Sequence, residues 1–264
     1  MERYSVKFKK KFGQNFLKEV NTVKKIVSVA DIKENSLVIE VGPGGAIMTR
    51  ELASVADHVL AYEIDTELKD ELNSRLVGLN NVDVLFMDFL NADLEKDIEK
   101  YHAEHIYFVS NVPYYITTPI LMKIMNSGIP FEKIVMMVQK EVGDRFSTAP
   151  GNREYGSITV LLHYFYDVKK EFLVSRKQFV PEPNVDSVIV SFSEKKDILP
   201  LKNFDTFQKL IRDSFQYKRK NLRNNLKGYN LDVVSSVLEK YGYDLNVRAE
   251  QLDVEVFVSI ANAI

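Results

Sequence analysis

The chain has 264 residues, 45% of them hydrophobic and 27% charged, with a formal net charge of −2. That is enough apolar material for a full core in one large domain or two smaller ones, and it does not by itself point to a nucleic-acid partner. The absence of cysteine excludes disulfides, thiolate metal sites and a cysteine nucleophile. No apolar run approaches the ~20 residues of a membrane span. The opening residues Met1 to Lys7 lack the apolar stretch of a secretory signal, so a cytoplasmic protein without membrane contact is expected.

Along the chain, basic residues first crowd at Lys7, Lys9, Lys10 and Lys11. Apolar runs then recur at Leu37–Val41, Val59–Ile64, Val82–Met87, Ile106–Ser110 and Ile134–Val138. Each is short, rich in Val, Ile, Tyr or Phe and almost continuously apolar, as strands buried on both faces of a parallel sheet are. Helical patterns lie between them, including Thr66–Leu76 and Thr118–Met125; Thr118 is the expected N-cap of the latter, with Pro119 at its first helical position. This alternation predicts a doubly wound α/β sheet. The solid apolar run Ser157–Tyr166 fits a strand or a buried helix, and Val185–Phe192 reads as a further strand. From Ser193 to Asn203 the chain is polar and reads as a linker. Beyond it the pattern is helical, with Asn230 capping Leu231–Tyr241, Gly242 closing it, and a second helix over Asp253–Ala263 presenting Leu252, Val256 and Ile260 on one face. The expected domains are residues 1–195, nucleotide-binding and catalytic, and 200–264, small and all-helical.

The first strand runs into Glu40-Val41-Gly42-Pro43-Gly44-Gly45-Ala46 and then a helix. Glycines there let the backbone turn sharply and approach a ligand without a Cβ clash. Glu63 closes the second strand about 20 residues beyond Gly42, the position from which a carboxylate accepts from ribose hydroxyls. Asp65 lies on the same strand face and is a rival for that role. Asp88 closes the third strand at the same edge, where it can accept from an adenine amino group. Ligands of open α/β sheets bind at that edge, so the trio points to a nucleoside cofactor. It does not separate a dinucleotide from S-adenosylmethionine, and a clean G-x-G-x-x-G is missing.

The fourth strand ends in Ser110-Asn111-Val112-Pro113-Tyr114. Asparagine followed after one residue by Pro-Tyr resembles the [DNS]-x-P-[YF] motif of amino-methyltransferases. An exocyclic amine is a poor nucleophile because its lone pair is delocalised into the ring. The side-chain oxygen of Asn111 and the carbonyl of Pro113 can accept from its two N–H bonds and favour a pyramidal nitrogen. Tyr114 offers a face on which a displaced base stacks. Such a site works by positioning and electrostatics and requires neither a metal nor a protein nucleophile.

From here the chain resembles, over nearly its whole length, the KsgA-type ribosomal RNA adenine dimethylases. The matching stretches begin with Phe12-Gly13-Gln14-Asn15-Phe16-Leu17, Glu40-Val41-Gly42-Pro43-Gly44, Asn111-Val112-Pro113-Tyr114 and Gln139-Lys140-Glu141-Val142. They continue with Tyr155-Gly156-Ser157, the run from Phe179-Val180-Pro181 to Val185-Asp186-Ser187, and the run from Lys218-Arg219-Lys220 to Leu226. The resemblance implies a Rossmann-like methyltransferase fold with a mostly parallel seven-stranded sheet and a helical C-terminal domain. It implies that Asn15 and Leu17 close over S-adenosylmethionine, that Gly42 and Gly44 approach it, and that Glu63 meets its ribose and Asp88 its adenine. Asn111 would sit between cofactor and target amine, and Phe179 would stack on the target adenine opposite Tyr114, whereas its place in a Pro-rich loop fits a binding aromatic and a core plug equally. The implied substrate is two adjacent adenosines near the 3′ end of small-subunit rRNA, each dimethylated at N6; a monomer is expected, though nothing in the sequence specifies the oligomeric state.

Two positions depart from the family pattern. Ala46 stands where a further glycine is usual, so that its methyl either crowds the cofactor or is absorbed by helix packing, and Val112 stands where leucine is common. Beside the resemblance, Lys218, Arg219, Lys220 and Arg223, spaced as on a helix, read as rRNA phosphate contacts, and Arg145, in the loop after the fifth strand, reads likewise. His102 and His105 have no third ligand near them in sequence and read as surface histidines. Two other readings stay open on the same scaffold: an Erm-type dimethylase of large-subunit rRNA, and a non-catalytic RNA-binding or transcription factor. An NAD enzyme would leave Phe179 and the basic segment unexplained.

Overall fold

The computed structural model describes residues 15–264; Phe12, Gly13, Gln14 and the lysines at 7 to 11 fall outside them. The strands are β1 Phe16–Leu17, β2 Ser36–Val41, β3 His58–Tyr62, β4 Val82–Leu85, β5 His105–Ser110, β6 Phe131–Gln139, β7 Tyr166–Val174, β8 Phe179–Val180 and β9 Ser187–Glu194. The helices are α1 Val20–Ala30, α2 Ile47–Ala53, α3 Lys69–Arg75, α4 Leu94–Glu99, α5 Thr117–Asn126, α6 Lys140–Phe146, α7 Ser157–Phe165, α8 Phe204–Ser214, α9 Leu222–Asn225, α10 Leu231–Lys240 and α11 Val254–Ala263. All five strands read from the first apolar runs are present, each within a few residues of its expected bounds.

Seven strands form one sheet in the order β4-β3-β2-β5-β6-β9-β7. From β4 to β6 neighbours run parallel, and β9 is antiparallel to β6. Every residue of β2 is buried, Ser36 and Glu40 included, as a strand covered on both faces requires. Sequence order reverses between β2 and β5, which opens a crevice at their carboxyl ends. On one face α1 lays Val23, Ile26, Val27 and Ala30 against Val38, Tyr107, Val109 and Val135. That i, i+3, i+4, i+7 stripe follows helical period. A separate ribbon pairs β1 with β8 antiparallel, Leu17 opposite Phe179.

The chain divides into two compact units, and the division differs from the expected one. One holds the described residues up to Gly143 with Lys169–Glu194; the other holds Asp144–Val168 with Lys195–Ile264. The chain changes unit between Glu194 and Lys195, and it also does so at Asp144 and at Lys169, inside the expected first domain. Asp144–Val168 belongs with the C-terminal helices because the ambiguous apolar run is a helix, α7, packed on α8 and α11. Its aromatic rings bind it there, Tyr164 to Phe207 at 4.9 Å and Phe165 to Phe204 at 5.3 Å between centroids. A run of this length that is apolar all round is a buried helix, and β7 starts only at Tyr166.

Two local details also differ. Ile116, not Thr118, precedes α5, and Pro119 falls at its third residue, still inside the first turn where a missing N–H costs nothing. Asn230 does cap α10, accepting from the N–H groups of Asp232 and Val233, and Gly242 follows it at φ 76°. No helix among the described residues is long and apolar enough to cross a membrane.

Candidate active site

A cavity of about 320 Å³ opens at the carboxyl ends of β2 to β5, at the lower end of the range of small-molecule and cofactor pockets. Its wall begins at the turn after β2. Gly42 continues the strand by donating to Tyr62 O at 2.8 Å and then takes φ +75°; a Cβ there would meet no atom within 4 Å, so its bare face is open to a ligand. Gly44 also has positive φ, +51°, and a Cβ there would lie 2.2 Å from Phe16 Cε1. The N-terminal ribbon thus covers the turn with the Phe16 ring. Ala46 adopts φ 58° just before α2 and is fully buried, packed with Leu68 and Leu72. Its methyl is absorbed by helix packing and does not line the cavity.

Glu63 lines the cavity and is 3% exposed. Its Oε2 accepts from Gly44 N at 3.3 Å and its Oε1 from Asp65 N at 2.8 Å, so the acid also clamps the glycine turn to β3. Burial pushes its carboxyl above the ordinary range, against the pull of those N–H donors. The rival Asp65 does not line the cavity; its side chain caps the turn Thr66–Leu68, which assigns the cavity to Glu63. Asp88 lines it too, with Oδ1 accepting from Leu90 N at 2.9 Å. The loop beyond is held by Lys123 Nζ, which donates to the carbonyls of Leu90 at 3.2 Å and Ala92 at 2.6 Å.

Asn111 follows β5 at the centre of this edge. Its Nδ2 donates to Asn15 O at 3.2 Å, which orients the amide and turns Oδ1, an acceptor, to the remaining space. Pro113 O already accepts from Ile116 N at 3.1 Å, so only its second lone pair is available to an amine. Tyr114 lines the cavity, and its hydroxyl shares a 2.7 Å hydrogen bond with Ser187 Oγ. Burial holds the Tyr114 phenol above its ordinary pKa, although Ser187 draws it down, so it stays neutral at pH 7.

Asn15, Gly42, Gly44, Glu63, Asp88, Asn111, Pro113 and Tyr114 are therefore brought together. Leu17 and Phe179 are not in this cavity. Leu17, 6% exposed, lines a smaller adjoining pocket beneath the glycine turn. Phe179, which the resemblance implies as a stacking face and which its own loop context leaves equally open as a core plug, is 2% exposed and sits in the core beside Leu17, because pairing of β8 with β1 turns its ring inward. The basic residues need correction as well. Arg145 lies in α6 rather than in a loop, with Nε 4.0 Å from Glu154. Lys218, Arg219 and Lys220 are exposed in a turn and not along a helix, and only Arg223 is helical, in the four-residue α9. His105 pairs with Glu132 at 2.6 Å. Among the described residues no three His, Asp or Glu converge as metal ligands.

Four contributors were not singled out from sequence. Glu40 is 2% exposed, lines the smaller pocket with Gly42 and Asn111, and has a carboxylate oxygen without a partner. Burial raises its pKa to about 8, Thr49 opposing and Glu63 adding to the shift. Ser110 Oγ donates to Val41 O at 2.6 Å and accepts from Val41 N at 3.2 Å, locking together the strand ends that carry Gly42 and Asn111. Ser187 holds Tyr114, and Lys123 holds the loop after Asp88. Of these only Glu40 left a signal, as an acid in an otherwise apolar strand.

Open glycine backbone, a buried acid and an oriented acceptor at one crevice suit a nucleoside cofactor that delivers an electrophile to an amine. On this sheet order, that is the class of S-adenosylmethionine-dependent methyltransferases. The model of the ribosomal RNA adenine dimethylase family matches residues 5–264, and the chain belongs to that family. Ribosomal RNA small subunit methyltransferase A of Ligilactobacillus salivarius is 42% identical, aligned over all of this chain and 92% of its own length. The protein of the same name from Streptococcus pneumoniae strain P1031 is 41% identical over all of this chain and 94% of its own. Among solved structures, a dimethyladenosine transferase from Plasmodium falciparum superposes with a TM-score of 0.77 at 29% identity, covering 92% of this chain and 95% of that one. The 23S rRNA methyltransferase ErmE superposes at 0.72 with 25% identity, covering 93% and 98%. The chain is accordingly an enzyme that uses S-adenosylmethionine to dimethylate adenine in ribosomal RNA.

Proposed function

We propose that the substrate is small-subunit rRNA and that two adjacent adenosines near its 3′ end are each dimethylated at N6. The observation that carries the site assignment is the amide of Asn111, anchored through Nδ2 so that Oδ1 is left as an acceptor at the cavity. The small-subunit reading rests on relatives of that name at 41–42% identity over the whole chain. An Erm-type large-subunit specificity is the second reading, favoured by the superposition on ErmE.

The residues present fit the cofactor. The open face of Gly42 admits close approach, Glu63 would accept from ribose hydroxyls, and the free oxygen of Asp88 would accept from an adenine amine. The orphaned Glu40 oxygen would pair with a cationic amino group of the methionine part. S-adenosylmethionine supplies an electrophilic methyl on a sulfonium. The chain supplies the rest. Asn111 Oδ1 and the second lone pair of Pro113 O accept the two N–H bonds of the target amine, which localises its lone pair for attack. Tyr114, fixed by Ser187, stacks on the displaced base, and Phe16 with Asn15 excludes water from above. The nitrogen's proton is lost to solvent after each transfer; the monomethylated amine keeps one N–H, so one of the two acceptors suffices to present it for the second, and the product has none. The energetic gain comes from orientation.

Asn111→Ala should abolish methyl transfer while unmethylated small subunits still bind with wild-type affinity. Undiminished methylation by that variant would remove Asn111 from the reaction.

A further inference from the structure

Phe215 and Tyr217 leave the end of α8 two residues apart and in opposite senses. Phe215 turns inward, its ring centroid 5.9 Å from Phe257 and 6.2 Å from Tyr155. Tyr217 is 58% exposed, and among the described residues its ring meets no other ring or cation. Lys218, Arg219 and Lys220 follow it, all exposed and none ion-paired among the described residues.

This turn is fixed at both ends. Asn225 Oδ1 accepts from Tyr217 N at 3.2 Å, while its Nδ2 donates to Ser214 O at 2.6 Å and to Tyr217 O at 3.4 Å. Lys220 N closes the turn on Tyr217 O at 2.9 Å. Beyond it, Leu222 N donates to Val247 O at 2.9 Å and Arg223 N to Leu245 O at 3.0 Å, and the Leu222 and Leu226 side chains are fully buried. A ligand therefore meets a turn already in place, with little backbone left to order.

A single exposed tyrosine needs no explanation on a protein surface. Here it precedes three consecutive unpaired cations on a pinned turn. Cations alone suffice to hold a duplex backbone or an acidic peptide, and neither presents a free base face. The addition of an aromatic face to a phosphate-tracking groove is what single-stranded nucleic acid uses. We propose that Tyr217 is a stacking platform for an unpaired rRNA nucleotide, with Lys218, Arg219 and Lys220 on the flanking phosphates. This rests on the rRNA reading of the basic turn and adds a base-binding subsite to it.

The test uses the full chain, a protein-free small-subunit rRNA transcript and a fully paired RNA duplex, with binding measured across a potassium chloride series. Tyr217→Ala should weaken transcript binding by about 5- to 150-fold, the range that one lost base stack produces, with the salt slope unchanged. Tyr217→Phe should stay within about twofold of wild type, because stacking needs the ring and not the hydroxyl. Duplex binding should be unaffected by either. Wild-type transcript affinity in Tyr217→Ala, or an equal loss on the duplex, would overturn the stacking role. A wild-type chain that binds neither RNA would overturn the rRNA reading beneath it.

Discussion

Replacing Glu40 by glutamine tests the cofactor pocket through its most unusual group. Glu40 is 2% exposed with an unpartnered carboxylate oxygen, and its pKa is raised from the ordinary 4.5 to about 8. A raised folded-state pKa means that the group binds its proton more tightly folded than unfolded. Its stabilising contribution is thus complete below about pH 4.5 and is lost as pH rises to about 8. At 1.36 kcal/mol per pKa unit, this interval corresponds to at most about 5 kcal/mol. Glutamine is neutral throughout, so the stability difference, variant minus wild type, should climb with pH at about 1.4 kcal/mol per unit and level off above pH 8. Denaturant unfolding of both proteins at pH 5, 6, 7, 8 and 9, without ligand, measures it. A cationic amino group bound beside Glu40 should reverse the preference and favour the carboxylate. S-adenosylhomocysteine should then bind wild type more tightly as pH rises from 6 to 8, and Glu40→Gln with no such trend. Parallel stability curves for the two proteins would refute the buried-carboxylate argument.

Gly44→Ala should cost backbone strain of roughly 1–2 kcal/mol at φ +51° and displace the Phe16 ring, lowering S-adenosylhomocysteine affinity by about tenfold or more; unchanged calorimetric affinity would contradict that geometry. Ala46→Gly should change unfolding free energy by under about 1 kcal/mol, because relief of the left-handed backbone offsets a lost buried methyl and added chain entropy. Ser187→Ala should destabilise by about 1 kcal/mol and lower turnover, and it should add nothing in Tyr114→Phe if the two hydroxyls act only on each other, a double-mutant cycle being the measure. Removing charge at Lys218, Arg219 and Lys220 together should flatten the salt dependence of rRNA binding by about one slope unit per lost phosphate contact; an unchanged slope returns the turn to a solvated face.

Much of the cavity was legible because its residues sit at strand ends, where apolar runs stop abruptly: Gly42 after β2, Glu63 after β3, Asp88 after β4 and Asn111 after β5. Helix α1 was not, for a physical reason. Glu19 gives it no side-chain cap, and it ends on Asp31 at φ 52° where glycine would have marked the stop. The fate of Phe179 depends on pairing of β8 with β1, more than 160 residues earlier in the chain, which no local pattern encodes. Ser110 and Ser187 look like ordinary strand serines until register sets one against Val41 and the other against Tyr114. The basic segment has helical spacing by residue count, but Asn225 and the Val247 and Leu245 carbonyls fold it as a turn. The unit boundary was misread at Asp144–Val168 because an apolar run specifies burial without naming its partner.

The most direct test of the account is transfer of labelled methyl from S-adenosylmethionine to unmethylated small subunits, with large-subunit rRNA alongside and Asn111→Ala as the control. The prediction is label recovered as N6,N6-dimethyladenosine at two adjacent positions of small-subunit rRNA, and none with the variant. Label in large-subunit rRNA alone, or equal label from Asn111→Ala, would contradict it.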